Sequence, residues 1–175
     1  MRLTRRAALK IMHWSMVPLL VWFVALTPAD VVPLGLFQLH SALALVFVTI
    51  SLLWTATHLR KGLASRPGPK LPPAARVFHQ LVHKTLIWGL FGVAATGFLL
   101  GLTSSTLLKA GGFLPIAPPM GWRQMNEIVG TIHIFEFYLL AAIALAHAAF
   151  HLWRHLKLKD NALRIMAPKA LHRFL

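Results

Sequence analysis

The chain has 175 residues, of which 57% are hydrophobic and only 13% charged, and its mean hydropathy is +0.66. Ordinary globular chains carry about 25% charged residues, so this composition excludes an ordinary soluble domain. The net charge of +14 does not indicate nucleic acid, because all Lys and Arg except Lys84, Lys109 and Arg123 fall in three groups flanking apolar runs. There is no cysteine, which excludes disulfides, thiolate metal sites and covalent c-type haem attachment.

A basic arm with Arg2, Arg5, Arg6 and Lys10 leads into the first apolar run, roughly Ile11 to Thr27. The run ends at Thr27-Pro-Ala-Asp30 without a small-x-small cleavage site, so a retained membrane helix is expected rather than a leader. Pro18 should bend it, because its ring removes one backbone hydrogen bond. The second run spans roughly Leu34 to His58, the third Val77 to Leu102, and the fourth Ile128 to Trp153 or His155. Each reaches the length of a bilayer-spanning helix, about 17–25 residues. Backbone groups in lipid must be satisfied within their own segment, which favours helices, and the alternation of an outer-membrane barrel is absent. The expected fold is all-α, an integral membrane four-helix bundle forming a single domain over residues 1–175.

The loops give an orientation. The N-terminal arm, the loop with Arg60, Lys61, Arg66, Lys70 and Arg76, and the tail with Arg154, Lys157, Lys159, Arg164, Lys169 and Arg173 are basic. The loop around Asp30 has no Lys or Arg, and the loop from Thr103 to Glu127 has only Lys109 and Arg123. The positive-inside rule therefore places both termini in the cytoplasm, N-in and C-in. The loop Ser65-Arg-Pro-Gly-Pro-Lys-Leu-Pro-Pro breaks helix. The Gly/Pro-rich outer loop Gly111–Gly121 is apolar enough to lie against the top of the bundle.

Ionisable residues inside membrane helices are rare and usually functional, and histidines dominate here. His40 precedes Arg60, and His133 precedes Arg154, by about 30 Å of helix at ~1.5 Å per residue, so both belong near the outer boundary. His13 follows Lys10, and His147 shortly precedes Arg154, so both belong to the inner half. The interval from His133 to His147 turns a helix by about 1,400°, within ~40° of four turns, which puts both on one face ~21 Å apart. Two pairs at two depths result, His13 with His147 and His40 with His133. Bundle cores build such cofactor sites from facing helices, and two axial imidazoles per iron suit a haem used for electron transfer. The competing reading makes them packing or headgroup histidines.

The surroundings are small: Ala141 to Ala149 around His147, and Gly89, Gly92, Gly97 and Gly101 in the third run. His83 is a candidate for a quinone, propionate or proton role, whereas His58, His79, His151 and His155 are expected at the interface. Arg6, Lys10 and Arg154 are candidate propionate partners. Glu136 shares the His133 face loosely and either faces the outer site or pairs near the headgroups. The tryptophans at run ends read as an aromatic belt. No phosphate loop, hydrolase triad or carboxylate metal site is present, and histidines ~21 Å apart do not share one zinc.

The elements Ile-Met-His13-Trp, Leu-His40-Ser, His79…His83, the His133/His147 spacing and the ending Leu-Lys-Asp160-Asn-Ala-Leu-Arg164-Ile-Met resemble the bacterial cytochrome b561 family of di-haem inner-membrane proteins, over nearly the whole length. The resemblance implies the same ligand assignment, His13/His147 for the inner haem b and His40/His133 for the outer one, with the four histidines as axial ligands of iron. It further implies electron transfer between a periplasmic-side donor and ubiquinone, in some members from superoxide. Lys109 and Arg123 would then attract a small anionic donor. Alternative expectations are a non-enzymatic haem-carrying anchor for a dehydrogenase or a periplasmic protein partner, and a histidine-bearing transporter or scaffold without haem. A homodimer is compatible with each.

Overall fold

The computed structural model describes residues 4–26, 34–64, 66–167 and 169–174. The end of the first apolar run at Thr27, the loop at Asp30, and Ser65 lie outside the described residues. Four helices are long and apolar enough to cross a membrane: α1 (Arg5–Ala25), α2 (Leu34–Lys61), α3 (Pro73–Thr103) and α4 (Arg123–Trp153). Between α3 and α4 a two-stranded antiparallel ribbon pairs β1 (Lys109–Ala110) with β2 (Leu114–Pro115). The α4 axis continues as a π-helical turn, Arg154–Leu158, followed by the short α5 (Ala162–Met166) and a 3-10 turn, Lys169–Phe174.

The helices extend past the apolar runs on which the sequence reading drew their bounds. Apolarity marks the lipid core, whereas a helix continues into the interface until its backbone is capped or broken. Thr4 caps α1 by accepting from the Ala7 amide at 3.3 Å. Pro73 opens α3, where its missing N–H costs nothing. Gly62 ends α2 in the left-handed region, φ +69°, its amide donating to the His58 carbonyl at 2.8 Å. Pro18 sits inside α1 as expected, and the helix runs through it.

Packing runs in a ring: α1 against α2 and α4, α2 against α3, and α3 against α4 most extensively. The α1 stripe Leu9, Met16, Leu19 and Phe23 points inward, and Met16, Leu19 and Phe23 join Phe47, Val93 and Leu140 in the core. The opposite faces carry exposed Val17, Val21, Leu52, Leu53, Phe135 and Leu145, an apolar exterior that suits lipid rather than water.

Glycines set the α3–α4 distance. A Cβ on Gly89 would lie 2.9 Å from Leu140 Cδ1, one on Gly92 3.2 Å from Glu136 Oε1, and one on Gly97 3.3 Å from His133 Cε1. The matches run backwards along α4, as antiparallel neighbours require. Small side chains here permit the close approach that membrane helices use in place of a hydrophobic driving force.

The two ends differ. At the basic end, Lys10 Nζ donates to the Ala167 carbonyl at 3.0 Å and Trp14 Nε1 to the Met166 carbonyl at 2.8 Å, fastening the tail to α1. Lys70 Nζ reaches the Lys159 carbonyl at 3.1 Å, so the Pro-rich loop meets the same tail. At the other end the ribbon folds onto the bundle: the Gly111 amide donates to the Gln38 carbonyl at 3.2 Å, and Ala110 and Ala117 are buried. The 111–121 loop thus lies against the helices, as its apolar composition suggests.

Candidate functional site

At the end away from the basic residues, the helices surround an apolar cavity of about 440 Å³. His40 from α2 and His133 from α4 both line it. Its walls include Phe23, Phe47, Val93, Phe98 and Phe137, and the loop contributes Leu108, Pro115 and Ile116. The edge of Phe23 meets His40 with ring centroids 5.0 Å apart and meets Phe137 at 6.0 Å. Gly97 lines the same space, and any larger side chain there would press on the His133 ring.

The His133 ring is held from behind. The Thr96 hydroxyl lies 2.8 Å from His133 Nδ1 and 3.1 Å from Glu136 Oε2, with the Gly92 and Val93 carbonyls at 3.2 Å. A hydroxyl has one proton to give. When Thr96 gives it to the Glu136 carboxylate, His133 Nδ1–H donates to Thr96 Oγ1, and Nε2 becomes the lone-pair nitrogen. Glu136 therefore faces the α3 interface and the His133 support, not the headgroups. Apolar-run reading gives no role to Thr96; its signal is its register opposite Glu136 across the antiparallel pair. His40 is supported differently, because its Nδ1 is buried without a hydrogen-bond partner.

At the basic end, the rings of His79, His83, His147 and His151 pack against one another. Centroid separations are 4.2 Å for His79–His83, 4.5 Å for His147–His151, 4.8 Å for His83–His147, 5.6 Å for His83–His151 and 5.9 Å for His79–His151. His13 on α1 has its ring centroid 5.8 Å from that of Trp14 and 6.4 Å from that of Trp54. Nδ1 of His13 and of His147 are both buried without a hydrogen-bond partner. His40 and His133 thus line one cavity at the ribbon end, while His147 belongs to the ring cluster at the basic end.

Several sequence expectations need correction. His79 does not sit among headgroups: it is wholly buried, enclosed by His83, His151 and Phe150. His151 joins the same cluster. Both are drawn into the α3–α4 contact, at an end where the Pro-rich loop meets the tail through Lys70 Nζ and the Lys159 carbonyl. Arg154 does not extend toward a propionate; its guanidinium is buried and donates to Asp160 Oδ2 at 2.6 and 2.8 Å. Gly68 admits this pair, since a Cβ there would lie 2.9 Å from Arg154 Nη2. Lys10 is committed to the Ala167 carbonyl, while Arg6 is exposed. Arg123 pairs with Glu127 at 3.2 Å on the surface, leaving Lys109 as the exposed cation of the ribbon. His58 and His155 are half-buried and stay outside both groups.

This fold defines the chain as a multi-pass helical membrane protein with histidines gathered at two levels of its bundle. No family model, curated protein or solved structure matches it.

Proposed function

We propose that the chain is a cytochrome of the bacterial inner membrane holding two b-type haems, with both termini cytoplasmic. It carries electrons between a periplasmic-side donor and the quinone pool. The observation that carries this reading is the apolar cavity bearing one histidine from each of two facing helices, His40 and His133. Its lining suits a flat apolar macrocycle, and Gly97 keeps the wall thin beside the His133 ring. His13 and His147 form the corresponding pair at the cytoplasmic level, where both rings keep buried Nδ1 atoms that no protein group satisfies.

Haems held by His40 and His133 and by His13 and His147 would supply one-electron carriers. The protein's part is orientation and exclusion of water. Thr96 and Glu136 fix the His133 ring and direct its Nε2 away from the α3 interface. Phe23 packs edge to face against Phe47 and Phe137 in the wall of the His40/His133 cavity. The ribbon closes the outer end with Pro115 and Ile116. Attraction of a small anion such as superoxide rests on Lys109, because Arg123 shares its charge with Glu127.

The test is pyridine-haemochrome quantification on detergent-purified protein, with a reduced-minus-oxidised spectrum. Two haems per chain are expected, and His133→Ala and His147→Ala should each lose about half of the haem. A colourless protein, or unchanged haem in both variants, would return the histidines to packing or transport roles.

A further inference from the structure

We infer that His79, His83 and His151 form a binding site for one divalent transition-metal ion of the zinc type, distinct from the four axial-ligand candidates. One ligand nitrogen from each lies within 4.8 Å of the other two. Nitrogens on a tetrahedral zinc, with Zn–N about 2.0–2.1 Å, are roughly 3.4 Å apart, so modest side-chain rotation closes the set. The chemistry of the donors also points to such an ion. Imidazole suits zinc, copper and nickel, whereas magnesium and calcium require oxygen ligands, and no carboxylate belongs to this triad.

Two further observations favour a metal over simple packing. His83 Nδ1 lies 2.7 Å from the His79 carbonyl, so Nδ1–H donates to it and Nε2 carries the lone pair. Ring orientation by a backbone carbonyl is the usual support of a metal-bound histidine. His151 Nε2 is buried without a hydrogen-bond partner, a cost that coordination would remove. The buried Arg154 has its charge balanced by Asp160 at 2.6 Å. Three neutral imidazoles leave a fourth position for water, the ligand count of an open zinc site. The inference does not depend on haem, since His13, His40, His133 and His147 are not among its ligands.

The experiment is metal analysis of the purified full-length protein after zinc loading and dialysis, with X-ray absorption at the zinc edge and haem measured on the same samples. The expected result is one zinc per chain in a nitrogen/oxygen shell containing imidazoles. It should be lost in His79→Ala and in His151→Ala and retained in His147→Ala. Haem content and elution volume unchanged from wild type in His151→Ala would show that the loss is not misfolding. Absence of stoichiometric zinc in the wild type, its retention in either triad variant, or its loss in His147→Ala would overturn the proposal. A haem-free preparation that still binds zinc through the triad would sink the cytochrome reading and leave this one standing.

Discussion

The two ends of the bundle solve opposite problems with the same residue type. At the ribbon end, His40 and His133 stand across a cavity, and the polar support for one of them is a threonine and a carboxylate in the helix interface. At the basic end, His79, His83, His147 and His151 fill the space between α3 and α4, beneath a buried Arg154–Asp160 ion pair and a fastened tail. Equal spacing along α4 therefore does not make equal environments. One end is built around an apolar cavity, the other around packed polar groups, so the two should respond differently to substitution.

Arg154→Ala should have the strongest effect on stability. It leaves a buried carboxylate at Asp160 unpaired and should cost about 3–5 kcal/mol in detergent unfolding. Arg154→Ala together with Asp160→Asn should recover part of that loss; no recovery would mean the pair is not the source. At the ribbon end, Thr96→Val removes the hydroxyl between His133 and Glu136 and should weaken cofactor retention there by about 10–100-fold. The outer component of a haem-loss time course should speed up alone, and an equal change in both components would contradict the assignment. Gly97→Val should overpack the His133 ring at a cost of about 1–3 kcal/mol, with a spectral change confined to one haem. Arg123→Ala should cost no more than about 0.5 kcal/mol, because its pair with Glu127 is exposed. A larger loss would show that the ribbon end depends on charge as the basic end does.

The four spans are legible in the sequence because their outward faces must also be apolar, so whole runs stand out rather than stripes. That His133 and His147 belong to opposite ends of the bundle is legible for the same reason: a helix of fixed rise converts residue number into height. The ribbon is not legible, since Lys109–Ala110 and Leu114–Pro115 are too short to show alternation. The burial of His79 and Arg154 is also hidden, because it is created by residues far away in the chain, Leu71 and Ala162 among those buried at that end. Thr96 is missed because a hydroxyl within an apolar run usually returns to its own backbone, and only the α3–α4 register shows that it does more. The Gly68 contact with Arg154 and Asp160 likewise follows from the folded tail, not from local pattern.

The pairing itself is best tested by haem counts on two double variants. His40→Ala with His133→Ala removes both ligands of one level, and His40→Ala with His13→Ala removes one ligand from each. The pairing by depth predicts that the first double variant keeps one haem per chain, at the wild-type affinity of the inner site, while the second keeps none. Equal haem content in the two, whether both hold one or both hold none, would contradict it.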